Sequence, residues 1–155
     1  MAQEIERKFL VTGDDWRAQA RSSARYRQGY LANEGRCSVR VRVSGTSAHL
    51  NIKSATLDIV RTEYEYPIPL ADGEEMLERL CSGILIEKTR HFVDYGGYVW
   101  EIDVFEGVNR GLVIAEIELD HENAEFLRPS WVGAEVSDDP RYYNVYLAQT
   151  PYTRW

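Results

Sequence analysis

Over the first eleven residues, polar and apolar positions alternate with a period of two. Glu4, Glu6 and Lys8 share one parity, and Ile5, Arg7 and Phe9 share the other. In a strand these two sets point to opposite faces. One such row on its own reads as a solvated strand face, where most charged side chains sit. The alternation recurs along the chain, however, and predicts strands over residues 3–11, 26–32, 36–44, 48–54, 60–67, 84–95, 98–106 and 112–119. The clearest is 36–44, where Val39, Val41 and Val43 alternate with Ser38, Arg40 and Arg42. Ser44-Gly45-Thr46-Ser47 and Gly96-Gly97 mark tight hairpins, glycine supplying the positive φ that such turns need.

Between the strands the period lengthens. A short helix is expected after Thr12-Gly13-Asp14, with Asp14 as its cap, Trp16 and Ala20 on one face, and an end by Ser23. Residues 71–82 carry Met76, Leu77 and Leu80 on one side, with Asp72 as a candidate N-cap and Gly83 placed to close the helix. A short helix over 120–127 stopped by Pro129, and a last one from Pro140 to about residue 149, complete the expected elements.

The polar parities of the strands are almost entirely charged. Together they collect Glu4, Glu6, Glu63, Glu65, Glu101, Asp103, Glu116 and Glu118 with Lys8, Arg40, Arg42, Lys53, Lys88 and Arg90. The opposite parities are aliphatic and aromatic, and the helical stripes can cover them. Such a sheet is either open with one solvated face or closed around a charged lumen. Eight strands favour closure, which removes exposed edges and leaves room for one small ligand. The expected fold is therefore α+β: an eight-stranded antiparallel β-barrel with helices packed outside.

Composition narrows the partners. The chain has 155 residues, 25 acids and 18 bases, and a net charge of −7. That length suits a single domain over 1–155, and that balance argues against a broad basic surface for nucleic acid. Cys37 and Cys81 have no metal or disulfide spacing and read as two buried, reduced thiols. His49, His91 and His121 have no ligand spacing, and Trp131 and Trp155 read as packing residues. With Met1 leading straight into a charged strand and no long apolar run, a cytoplasmic protein without a membrane partner is expected.

A charged lumen demands a ligand, because buried charges must be paired, wet or metal-bound. Arginine and lysine fit phosphate groups, and surplus carboxylates fit Mg²⁺ or Mn²⁺. Bases for phosphate beside acids for metal are what phosphoryl transfer requires.

The same residues carry a family resemblance. Glu4 to Lys8 reads EIERK and resembles the ExExK signature of the CYTH superfamily, the triphosphate tunnel metalloenzymes. The segments QGYL at 28–31, VRVR at 39–42, NIKS at 51–54, EYE at 63–65, EKTR at 87–90, EIDVF at 101–105, AEIE at 115–118 and RYYN at 141–144 follow in that family's order. The resemblance implies a triphosphate tunnel with a C-terminal helix near one end. It implies phosphate binding by Lys8, Arg40, Arg42, Lys53, Lys88, Arg90 and Arg141. It implies metal ligands among Glu4, Glu6, Glu116 and Glu118, with Asp103 helping through water and Glu63, Glu65 and Glu101 in support. Lys8 and Tyr30 are the candidate pair for activating water. The implied activity is hydrolysis of inorganic tripolyphosphate to pyrophosphate and phosphate. Class IV adenylyl cyclase, thiamine or nucleoside triphosphatase, and a polyphosphate- or nucleotide-binding module without turnover are the alternatives. Oligomeric state stays open, with a homodimer as one option.

Overall fold

The computed structural model describes residues 3–155, so what Met1 suggested about a leader lies outside the described residues. Nine strands form: β1 (Gln3–Val11), β2 (Ser22–Glu34), β3 (Cys37–Ser44), β4 (Ser47–Ser54), β5 (Val60–Ile68), β6 (Ser82–Tyr95), β7 (Tyr98–Phe105), β8 (Val113–Glu118) and β9 (Val132–Glu135). The first eight close into an antiparallel ring in the order β1-β5-β4-β3-β2-β6-β7-β8, and β8 returns to β1. One edge of β1 is shared: β5 pairs with Gln3 to Ile5, and β9 with Phe9 and Val11. The extra strand thus occupies the stretch of β1 that β5 leaves free, as an unpaired edge requires.

Alternation fixes which face is which. Apolar residues form three clusters: two pack on the outer face of the barrel, and the third, made of inward-parity residues, fills one end beneath the C-terminal segment. Phe9, Trp100, Ile102, Ile117 and Trp131 pack together beside Trp16. Trp100 meets Phe9 and Trp131 at ring separations of 5.6 Å in tilted and edge-on geometry, contacts worth about 0.5–1.5 kcal/mol each beyond burial. Val41, Val43 and Ala48 lie beneath helix α1 (Leu70–Arg79), which contributes Leu77. This helix approaches so closely that a Cβ at Gly73 would come within 2.6 Å of the Ala48 Cβ. The third cluster joins Tyr30, Ile86, Phe105, Leu112 and Ile114 to Val136, Leu147 and Ala148 of the C-terminal segment.

Several local expectations are corrected. The helix after Asp14 is a 3-10 turn over Asp15–Gln19, and the Asp14 carboxylate accepts from Arg17 Nε rather than capping it. Helix α1 begins after Pro69, with Asp72 inside its first turn, and ends at Arg79, so Gly83 belongs to β6. Residues 120–127 are irregular: tertiary packing of Ala124 and Phe126 on the first cluster holds them. The final helix is split into a 3-10 turn (Pro140–Tyr142) and the single turn α2 (Asn144–Leu147). Pro140 does stand in the first turn, but Tyr143 interrupts the segment with extended backbone. Cys37 and Cys81 are free and half-buried rather than fully buried. Among the described residues no helix is long and apolar enough to cross a membrane.

Candidate active site

The inner face of the barrel encloses a cavity of about 180 Å³. It is lined by Glu4, Glu6 and Lys8 of β1, Tyr30 of β2, Arg40 and Arg42 of β3, and Lys53 of β4. β5 adds Arg61, Glu63 and Glu65, β6 adds Lys88 and Arg90, and β7 and β8 add Glu101, Glu116 and Glu118. Register explains the convergence. Lys8 faces Glu116 across β1 and β8, and Glu116 faces Glu101 across β7 and β8. Arg40 faces Asn51, and Asn51 faces Glu65.

The pairing inside is uneven. Lys8 Nζ donates to Glu116 at 2.8 Å and to Glu6 at 3.4 Å. Burial opposes its charge, but the Glu116 and Glu6 carboxylates hold the ammonium above its ordinary pKa. Lys88 Nζ donates to Asp103 Oδ2 at 2.7 Å and to Asn144 Oδ1 at 3.1 Å. There burial prevails, helped by repulsion from Arg90 and Arg40, and the Lys88 pKa falls to about 8 despite Asp103. Arg90 makes a bidentate pair with Asp103, Nε to Oδ1 at 2.8 Å and Nη2 to Oδ2 at 2.9 Å, and also donates to Glu101 at 3.0 Å. Lys53 bridges Glu4 at 3.1 Å and Glu63 at 3.2 Å. Arg42 reaches Glu65 at 3.6 Å, and burial, with Arg40 beside it, lowers its pKa. Arg40 is buried, has no ion-pair partner among the described residues, and leaves its Nε unbonded.

Three carboxylates converge among these cations. Glu6, Glu101 and Glu116 each place an oxygen within 4.8 Å of the others. Burial first, then the Glu116 charge, pushes the Glu6 carboxyl up to about 8. Burial also raises Glu101 and Glu118. Glu116 goes the other way: Lys8 and Arg90 overcome its burial and hold it well below the usual carboxylate range. Charge of this sign, crowded and oxygen-donating, suits a hard divalent cation.

Two residues expected from the sequence stand elsewhere. Arg141 is exposed and spends its guanidinium on Asp139, with Nη2 to Oδ2 at 2.7 Å. The turn at Pro140 aims it outward, and its neighbours take the place assigned to it: Tyr143, Asn144 and Val145 line the cavity. Asp103 is fully buried behind the lining, with both oxygens engaged by Lys88 and Arg90. No hydrogen bond joins Lys8 to Tyr30 among the described residues. The aromatic ring beside Lys8 is Tyr143, 4.9 Å from Nζ.

Other polar groups, beyond the expected site residues, line or brace the tunnel. Arg61 has the same parity as Glu63 and Glu65, which was signal enough to find it. Buried Asn51, which shares parity with Lys53, donates to Glu65 at 2.7 Å. Gln28 Nε2 donates to Asn144 at 2.9 Å, tying β2 to the C-terminal turn. That long-range link has no sequence signature.

A model of the CYTH domain matches residues 2–143, from β1 to the tyrosine beside Lys8. The chain belongs to the CYTH family. It is 48% identical over 152 residues to an inorganic triphosphatase of Acetivibrio thermocellus, covering 98% of this chain and 97% of that one. It is 39% identical over 150 residues to an inorganic triphosphatase of Nitrosomonas europaea, covering 94% and 96% respectively. The crystal structure of the inorganic triphosphatase NE1496 superposes with a TM-score of 0.69 at 35% identity, over 96% of this chain and 95% of that one. The ExExK row of this CYTH chain is thus one stave of a closed barrel. Its two glutamates have different neighbours: Glu6 faces the acidic cluster, and Glu4 pairs with Lys53.

Proposed function

We propose that this CYTH chain hydrolyses inorganic tripolyphosphate to pyrophosphate and phosphate with the help of Mg²⁺ or Mn²⁺. The observation that carries this reading is one small cavity holding both an array of cations and three converging carboxylates. Its volume of about 180 Å³ is below the roughly 300–1,000 Å³ of pockets that hold drug-sized ligands. That favours a compact anion over a nucleotide, and the triphosphatases of A. thermocellus and N. europaea point the same way.

Lys8, Arg40, Arg42, Lys53, Lys88 and Arg90 bind the phosphoryl oxygens and neutralise the charge that spreads over the transferred group. Asp103 orients Lys88 and Arg90, and Glu65 steadies Arg42. Glu6, Glu101 and Glu116 would hold the metal, with Glu4, Glu63 and Glu118 lining the wall nearby. The donor set fits: three carboxylates lie this close together, and burial followed by the Glu116 charge raises the Glu6 carboxyl, a penalty that a divalent cation would offset. Bound there, a divalent ion supplies Lewis-acid neutralisation at a phosphoryl oxygen. Lys8, kept protonated by its two glutamates, acts as a fixed positive charge on substrate. Tyr30 lines the wall and limits the room for attacking water.

The test supplies tripolyphosphate, thiamine triphosphate and ATP with Mg²⁺ or Mn²⁺ from neutral to alkaline pH. Tripolyphosphate should give equal pyrophosphate and phosphate with the highest kcat/KM. Cyclic AMP formed from ATP faster than phosphate, or tight tripolyphosphate binding with no phosphate release, would replace this reading with a cyclase or a binding module.

A further inference from the structure

The geometry points to Arg61 as a seventh tunnel cation that contacts the substrate's phosphate chain, at a station distant from Arg40. The inference rests on the triphosphatase reading above and extends it to a residue that reading does not use. Strand parity turns Arg61 inward with Glu63 and Glu65, and it lines the cavity. Its bonding is nearly empty. Of five donors, Nη2 reaches the Ser54 carbonyl at 3.2 Å, while Nε is buried and unbonded. No carboxylate pairs with it among the described residues, although Glu4, its register partner, stands on the adjoining strand and pairs with Lys53 instead.

A second observation concerns its surroundings. The Arg61 guanidinium carbon lies 5.6 Å from the centre of the Tyr143 ring, and Lys8 Nζ lies 4.9 Å from the same centre. Two cations are therefore held on one ring, with a counter-ion for Lys8 and none for Arg61. A partly buried cation without an anion is costly unless a ligand supplies one.

Among the tunnel cations of the described residues, only Arg40 shares this unpaired condition. The pairings Arg40 to Asn51 and Asn51 to Glu65 put Arg40 level with Glu65, four residues along β5 from Arg61. Four residues span roughly 13 Å of strand. Backbone positions so separated let the two forks engage different parts of a chain of linked phosphates, which presents oxygens along its length. The fork of Arg61, held against Tyr143, is thus a contact for one part of a triphosphate while Arg40 serves another.

Arg61→Met keeps a flexible apolar stem against Tyr143 and removes the charge, and Arg61→Lys keeps the charge without the fork. Calorimetric titration with tripolyphosphate in EDTA measures affinity without turnover, and metal-supplied kinetics separate KM from kcat. The methionine variant should bind roughly 10- to 100-fold more weakly, with KM raised similarly and kcat within about threefold. Lysine should restore part of the loss, and Arg110→Ala, at an exposed position outside the tunnel, should change neither. Unchanged tripolyphosphate affinity in Arg61→Met would overturn the inference, whether or not the urea midpoint falls, since it would leave Arg61 only a packing role. Failure of the wild-type chain to release phosphate from tripolyphosphate with Mg²⁺ or Mn²⁺ supplied would instead refute the functional reading.

Discussion

Replacing Asp103 by asparagine removes a fully buried carboxylate that serves two cations at once. Its oxygens accept from Lys88 Nζ at 2.7 Å, Arg90 Nε at 2.8 Å and Arg90 Nη2 at 2.9 Å, and none of the side chain is exposed. An asparagine of the same shape offers one oxygen where two were used, and it turns an NH₂ donor toward a group that can only donate. Breaking a buried ion pair by removing one partner costs about 3–5 kcal/mol, because the other charge stays buried. Arg90 keeps Glu101 at 3.0 Å, but Lys88 retains only the neutral oxygen of Asn144, so most of the loss falls on Lys88. For a chain of this size the shift corresponds to roughly 6–20 °C in Tm. Urea unfolding followed by circular dichroism measures it directly. The double variant Lys88→Met with Asp103→Asn should be more stable than Asp103→Asn alone, since it removes the orphaned ammonium. A loss below about 1 kcal/mol in the single variant, or a double variant weaker than the single, would refute the argument that charge balance holds this wall.

Three further outcomes follow from the same geometry. Glu6→Gln withdraws one of the converging carboxylates, and the Mg²⁺ concentration for half-maximal phosphate release should rise about tenfold or more; an unchanged metal requirement would remove Glu6 from the metal site. The hydrogen bond from Arg7 holds Glu135 below its ordinary pKa of 4.5. This stabilisation is present above the ordinary value and is lost as pH falls through the depressed one. Tm of Glu135→Gln should therefore lie roughly 1–4 °C below wild type at neutral pH and converge with it in acid, whereas a constant offset would contradict the linkage. Gly73→Ala pits helix propensity, which favours alanine by about 1 kcal/mol, against a Cβ 2.6 Å from that of Ala48. The clash should win, lowering stability by about 1–2 kcal/mol in urea, and a stabilised variant would show that α1 can shift outward freely.

Much of the tunnel is legible in the sequence because a strand has a period of two. Once Val39, Val41 and Val43 are assigned to the apolar face, Arg40 and Arg42 have nowhere to point but inward, and the same holds for Glu116 and Glu118 on β8. The parity that selects Glu63 and Glu65 places Arg61 on the same face, so the strand period alone turns it inward. Outside the strands this logic stops. Arg141, Tyr142 and Asn144 sit in a segment of mixed 3-10, extended and helical backbone, where no repeat dictates direction. There the outward Arg141–Asp139 pair and the inward Asn144 could not be told apart. The segment over 120–127 departs from the expected helix for the same reason: the position of Ala124 and Phe126 is set by contact with the cluster of Phe9 and Trp100 and not by a local repeat.

Local chemistry along the chain determined the eight strands, the sign of the residues on each inner face and the kind of ligand such a face requires. Only the closed structure decided how those charges are shared. Burial opposes the charge of both lysines; the carboxylates of Glu116 and Glu6 outweigh it at Lys8, whereas at Lys88 it prevails over Asp103 with the help of Arg90 and Arg40. Glu6 belongs with Glu101 and Glu116, and Glu4 with Lys53, because the register of β1 against β8 and β5 sets them beside different neighbours. Periodicity is a property of adjacent residues and can be read from the chain. Pairing between distant charges depends on angstrom-scale separations and on the exclusion of water, and these exist only once the barrel has closed.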